Sequence, residues 1–357
     1  MGFFLLVAAM LIVPYMVGFA GWYDNQPYRD ILFFVPFVHS LFIGPVLYFY
    51  IISIFNYEFR ITGIKMLHLL PGILYFVYAT GTGLIDFFVF DRYNLTNEYE
   101  DPDFASWYKY LSIGSVFFYL FLAIRYYHQY KKYAVIATSF ADQASMKWLR
   151  TFLYTFAMIS LMPLIETLLS NFDFFTRLRY FGPWYYFCGF AIVVYYIAIN
   201  AYQAVYLPLY KIQFNPQMLE PFETVEVKEE IKEQSISLVS EDSKKTSEKM
   251  MLIKNGLITL MEDELLFERS DLTLTEVARK LNTNAVILSK AVNQQFGLNF
   301  NDFINQYRVN AVIRRLALPE FKNQTLLAIA FDAGFNSKAT FNRSFKKFTG
   351  KNPKEYL

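Results

Sequence analysis

Ala330-Phe331-Asp332-Ala333-Gly334-Phe335-Asn336-Ser337-Lys338-Ala339-Thr340-Phe341-Asn342-Arg343-Ser344-Phe345-Lys346, followed by Gly350, Pro353 and Tyr356, is the stretch that decides how this chain folds. Ala333-Gly334-Phe335-Asn336 has turn composition, and Ser337 is a residue type that caps the amide end of a helix. The helix it opens carries Phe341, Phe345 and Phe348 on one side and Lys338, Arg343, Lys346 and Lys347 on the other. Gly350 and Pro353 close it, and a short helix over 325–331 precedes the turn. The pattern predicts a helix–turn–helix.

The same plan occurs once more upstream. Thr273 followed three residues later by Glu276 is a reciprocal capping pair, and it opens a short helix through Val277, Ala278 and Leu281. Asn282-Thr283-Asn284 supplies the turn, and a second helix is predicted over Ala285 to Phe296, with Leu288, Val292 and Phe296 buried and Gly297 as its stop. Between the two motifs, Phe300 to Leu316 reads as a longer amphipathic helix with Phe303, Ile304, Tyr307, Ile313 and Leu316 on its apolar side, ending before Pro319. From Thr273 onward there are thirteen basic and five acidic residues, a net of +8. That excess suits phosphate binding, whereas a plain helical bundle has no need of it.

This C-terminal quarter resembles the AraC-type DNA-binding domain. The family pattern of its second half, Ala-x-x-x-Gly-Phe-x-Ser-x-x-x-Phe-x-Arg-x-Phe-Lys-x-x-x-Gly-x-x-Pro-x-x-Tyr, is met from Ala330 to Tyr356 with its spacing intact. The first half is looser, with Leu288-Ser289-Lys290 where the family commonly has Leu-Ser-Arg. The resemblance implies that Val286, Ser289 and Lys290 of the first recognition helix, and Lys338, Ala339, Thr340 and Arg343 of the second, face the major groove; Lys346 and Lys347 are further candidates for DNA binding, Lys347 toward phosphate.

Upstream of Tyr210 the chemistry is of another kind. The 357 residues are 55% hydrophobic, 20% aromatic and only 18% charged. Six apolar runs, Gly2 to Trp22, Ile31 to Ile54, Ile64 to Phe88, Trp107 to Tyr127, Trp148 to Ser170 and Pro183 to Tyr206, are each long enough to span a hydrocarbon layer of about 30 Å, which needs roughly twenty helical residues. Trp22, Trp107, Trp148 and Trp184 stand at their ends, where an aromatic belt belongs. Arg60, Lys65, Arg125, Lys131, Lys132, Lys147 and Arg150 concentrate in alternate loops, which places those loops and the C-terminus in the cytoplasm. The opposite loop, Asp86 to Ser106, is acidic. The first run is too long for a signal peptide and has no small-residue cleavage site followed by a soluble domain.

This front part also resembles the membrane-embedded AraC-type regulators of Bacteroidetes, through Gly44-Pro45-Val46-Leu47-Tyr48-Phe49-Tyr50 and Leu67-His68-Leu69-Leu70-Pro71. Such proteins generally have seven spans, so the resemblance implies one more span ahead of Met1.

From Phe214 to Lys249 the chain turns acidic and loses apolar periodicity, as a solvated linker does. The expected organisation is all-α: a transmembrane bundle over residues 1–210, an acidic flexible linker over 211–246 and a double helix–turn–helix domain over 247–357. A helix over Ser247 to Phe267, with Met251, Leu252, Leu257, Leu260, Met261 and Leu265 apolar, should pack on the first motif.

Catalytic motifs are missing from the sequence. One cysteine, Cys188, and three histidines build neither a disulfide framework nor a metal site, so no enzyme activity, cofactor or metal is expected. Ionisable groups within apolar runs default to functional hypotheses. His39 and Glu166 are candidates to line an outward-facing ligand pocket, with Asp86 and His68 read as interfacial or hydrogen-bonded groups. The expected function is a multi-pass regulator of the bacterial inner membrane that binds DNA sequence-specifically. Its expected partners are double-stranded promoter DNA, membrane lipid, RNA polymerase, a small-molecule or envelope signal, and a second copy of the chain. The alternative is a transporter or receptor with a protein-recruiting tail.

Overall fold

The computed structural model describes the chain apart from residues 1, 57–58, 91–92, 97–104, 142–145, 170–181, 205–213, 215–235, 322 and 357. Among the described residues the regular elements are all helices, without strands, and the chain falls into two compact units. One comprises residues 1–127 and 147–206, the other 128–146 and 207–357.

In the first unit α1 (Gly2–Met10) and α2 (Val13–Phe19) are separated by a two-residue break, with Pro14 at the start of α2, where a missing N–H costs nothing. The run Ile31 to Ile54 is not one helix. It is α3 (Tyr28–Phe34), an extended stretch through Pro36, and α4 (Ser40–Phe55). The cause is Pro36, which cannot donate an N–H and pushes Val35 toward extended backbone, φ −110° and ψ 116°. Next come α5 (Leu70–Ile85), α6 (Ser106–Ala137), α7 (Lys147–Leu169) and α8 (Gly182–Ala204). Among the described residues, four stretches are long and apolar enough to cross a membrane: Gly2–Phe19, Gly63–Phe90, Ser106–Ala137 and Lys147–Ile165. Ser40–Phe55 and Phe187–Asn200 are apolar but shorter.

Aromatic and hydroxyl contacts hold these helices together. Tyr108 stacks on Tyr75 with ring centroids 3.8 Å apart and donates its hydroxyl to the Val38 carbonyl at 2.5 Å. His68 Nδ1 and the Tyr119 hydroxyl lie 2.9 Å apart, and Ser40 bonds Ser112 at 3.2 Å. Asp86 is fully buried and organises the loop that follows it, accepting from the Leu95 and Thr96 amides and from the Thr96 hydroxyl at 2.6 Å. Large apolar side chains of α5, α6 and α7 point outward, Val77, Phe121 and Met158 among them.

The second unit begins with the end of α6. Tyr130 and Tyr133 are buried there and hold Phe214 at centroid distances of 6.2 and 5.3 Å. The helix ahead of the first motif, α9 (Ile236–Glu262), begins well before the expected Ser247 and therefore takes in part of the stretch read as linker; most of the rest of that stretch lies outside the described residues. Leu257, Leu260 and Met261 of α9 are buried against the motif.

Then come α10 (Leu274–Lys280), α11 (Ala285–Phe296), α12 (Phe300–Leu316), α13 (Leu326–Asp332), α14 (Lys338–Thr349) and the short α15 (Pro353–Tyr356). Five of these starts are sealed by a side chain. Thr273 and Glu276 form the complete capping box, and Asn284, Asn299, Thr325 and Ser337 each accept an amide of the first turn. Phe303, Ile304, Val309 and Val312 of α12 form the spine, against which α11, α13 and α14 all pack.

Gly334 marks the tightest approach in this unit. Its φ is +95°, and a Cβ there would stand 2.6 Å from the Phe267 carbonyl oxygen. Gly297 also has positive φ, +67°, but open space around it. Gly334→Ala is therefore expected to lower the thermal stability of the protein by about 1–3 kcal/mol or more, and Gly297→Ala by less. Melting curves of the two variants of the full-length protein should rank in that order.

Candidate nucleic-acid interface

The candidate site residues sit on α11 and α14, each the second helix of its motif. Helix α11 starts where Asn284 Oδ1 accepts the Ile287 amide at 2.8 Å and stops at left-handed Gly297. Leu288, Ser289, Ala291 and Val292 face inward. The outward stripe is Val286, Lys290, Asn293 and Gln294, at spacings of four, three and one. Helix α14 starts where Ser337 Oγ accepts the Thr340 amide at 3.1 Å. It buries Thr340, Phe341, Ser344 and Phe345, and its outward stripe is Lys338, Ala339, Asn342, Arg343, Lys346 and Lys347.

Two expected base readers are largely buried in the structure. Ser289 is only 9% exposed and Thr340 only 6%, so both belong to the inner faces of their helices. Thr340 Oγ1 lies 2.8 Å from Ser337 Oγ and is part of the cap. Helical periodicity explains both. Ser289 follows Leu288 and is three residues before Val292, and Thr340 precedes Phe341 and is four before Ser344. Asn293, Gln294 and Asn342 occupy the vacated outward positions. Their signal in the sequence was the same periodicity, counted from Val286, Lys290 and Arg343.

Charge is also redistributed relative to the sequence reading. Arg308 does not contribute to a basic face, because it is fully buried. Its guanidinium donates to the carbonyls of Phe267 and Arg269, both at 2.8 Å, and to the carbonyl and hydroxyl of Ser139, both at 3.1 Å. Burial pulls its pKa down to about 9, an effect that Asp271 opposes, and it keeps its charge at neutral pH.

Lys280 is paired with Glu264 at 2.5 Å, Arg315 with Glu268, and Lys347 with Asp302 at 2.7 Å. These are exposed or partly exposed pairs, worth at most about 1 kcal/mol each, so a phosphate can compete for them. The exposed cations Lys338, Arg343 and Lys346 all lie on α14, whereas the α11 stripe holds only Lys290.

The other two candidates lie in the first unit. His39 is 8% exposed at the N-cap position of α4, its ring 6.3 Å from Phe42 and 5.6 Å from Phe76. Glu166 falls within α7, and its side chain lies outside the described residues.

A sequence profile described as a helix-turn-helix domain matches residues 264–357. An uncharacterized HTH-type transcriptional regulator of Staphylococcus aureus (strain COL) is 34% identical over 86 residues, which are 24% of this chain and 11% of that protein. The uncharacterized HTH-type transcriptional regulator YtdP of Bacillus subtilis (strain 168) is 32% identical over 104 residues, 29% of this chain and 13% of its own length. The match thus spans little more than a tenth of these relatives. No solved structure matches significantly. The C-terminal segment is a helix–turn–helix domain of the AraC type.

This geometry separates base reading from backbone holding. Arg343→Ala is expected to cost about 1–3 kcal/mol on a specific duplex and much less on a scrambled one. Lys346→Ala should weaken both duplexes alike and lower the salt slope of binding by about one. Lys347→Ala should change the slope less, because Asp302 already offsets that charge. Titrations of both duplexes over a salt series measure all three.

Proposed function

We propose that this protein is a membrane-anchored, sequence-specific DNA-binding transcription regulator that responds to a signal at or in the membrane. The observation that carries the DNA-binding part is the pair of capped helices α11 and α14. They stand at equivalent places in two consecutive motifs, share the α12 spine, and present polar and basic stripes outward. A helix with such a stripe at its solvent face fits the major groove, where Arg and Lys read guanine edges and Asn and Gln read adenine. The names of the relatives agree with this reading.

Membrane anchoring rests on the inverted exposure of the first unit. Val77 is 61% exposed, Phe121 62% and Met158 72%, all within stretches long enough to cross a bilayer. In water such faces would drive aggregation, whereas in hydrocarbon they cost nothing. The basic loops of the sequence favour a cytoplasmic DNA-binding domain, and on this reading the helices of the first unit sense the signal. Promoter DNA and lipid are the proposed partners, with RNA polymerase and a second copy of the chain as further ones.

Two measurements test this. Chromatin capture of the full-length protein should recover discrete promoter regions from a membrane fraction; uniform recovery, or none, would overturn sequence-specific binding and favour a protein-recruiting tail. Reporters fused at Leu357 and inserted in the Asp91 to Asp103 loop should report cytoplasmic and external locations respectively, and finding both on one side would overturn the topology.

A further inference from the structure

We propose that residues 138–141, which leave the end of α6, form an intramolecular docking switch. With the segment seated, the first helix–turn–helix is held in its DNA-competent arrangement, and withdrawal of the segment releases it. The inference rests on the DNA-binding reading above.

The seat is made from both ends of the motif. Thr138 forms an antiparallel bridge with Thr273, and the Ser139 amide donates to the Leu272 carbonyl at 3.0 Å. Asn301 Nδ2 donates to the Thr138 carbonyl at 3.1 Å. Arg308 closes the seat, donating to the Ser139 carbonyl and hydroxyl, both at 3.1 Å. Phe140 is buried at 3% exposure, so the segment has an apolar anchor as well. Leu272 and Thr273 are the entry and N-cap of α10, while Asn301 and Arg308 lie on α12, the helix shared by both motifs. The docked segment therefore ties together the two ends of the first helix–turn–helix.

Docking and motif order are linked by a buried charge. If Ser139 leaves, two donor positions of a fully buried guanidinium lose their acceptors, and the Leu272 carbonyl loses a donor. Such groups are expensive to leave unmet, so water must reach Arg308 and the seat between α10 and α12 must open. The carrier has no slack. Ala137 is the last residue of α6, and the Thr138 amide and hydroxyl still bond the Ala134 carbonyl at 3.1 and 2.8 Å, so a shift at the end of α6 reaches Ser139 directly. A signal sensed by the helices thus has a route to the DNA-binding face that does not pass through residues 211–246.

The test uses the full-length protein in phosphatidylethanolamine/phosphatidylglycerol nanodiscs and a duplex recovered by chromatin capture. Ser139→Ala removes the hydroxyl acceptor, and the double variant Thr138→Gly, Ser139→Gly also loosens the backbone. Both are expected to weaken duplex affinity, the double variant by about tenfold, within the usual range for coupled sites. Amide exchange over Thr273 to Val277, read without DNA, should quicken in both, while Ser139→Thr, which keeps a hydroxyl, should restore both readouts. If either affinity or exchange stays at the wild-type value in the double variant, the proposal is overturned. Failure of the wild-type protein to bind any duplex instead overturns the DNA-binding reading, and the exchange comparison identifies that case separately.

Discussion

A guanidinium placed where water cannot reach it constrains the whole C-terminal unit. Arg308 is fully buried, and a charge in that position needs fixed acceptors on every side. It takes them from Phe267 and Arg269 ahead of the first motif and from Ser139 at the end of α6. Its Cζ lies 5.8 Å from the ring centroid of Phe335, in the turn of the second motif. One side chain of α12 thereby fixes elements drawn from three parts of the sequence. An apolar residue of similar volume could fill the same space, but it would not specify which carbonyls must converge there. The charge restricts the number of arrangements in which the unit is satisfied.

Local chemistry made much of this unit legible in the sequence. Thr273, Glu276, Asn284 and Ser337 cap where capping rules place them, because a cap is a contact between residues three apart and needs no knowledge of the tertiary fold. The bounds of α11 and α12 follow from the same kind of signal, with Gly297 and Asn299 between them. Arg308 is not legible in this way, since a basic residue on an amphipathic helix reads as surface even where, as here, its spacing of four from both Ile304 and Val312 puts it on the buried stripe. The family pattern similarly drew Ser289 and Thr340 outward, although their positions beside Leu288 and Phe341 turn them in. In the first unit, hydropathy averaged over a window hid the break at Pro36, because a proline and its extended neighbours are as apolar as the helices around them. The seat of residues 138–141 was invisible for another reason: its contacts join positions more than a hundred residues apart, and no local pattern encodes them.

The exposed ion pairs show a similar economy. Lys347 reaches from α14 to Asp302 in the first turn of α12, and Arg315 reaches from the last turn of α12 to Glu268. Each is weak as a source of stability. Their placement ties the two ends of the spine to the elements beside it.

The residues of α14 divide their labour by position. Ser337 and Thr340 close the amide end, Phe341 and Phe345 fill the core, and the outward positions Ala339, Asn342, Arg343 and Lys346 do neither. Substitution at those four positions removes no cap and opens no cavity, so its cost to folding stays near the small values typical of helix surfaces. Preference for a binding sequence can therefore drift, residue by residue, in descendants of this chain while the scaffold stays unchanged, and gene copies that share this fold can come to serve different sets of genes without passing through an unfolded intermediate.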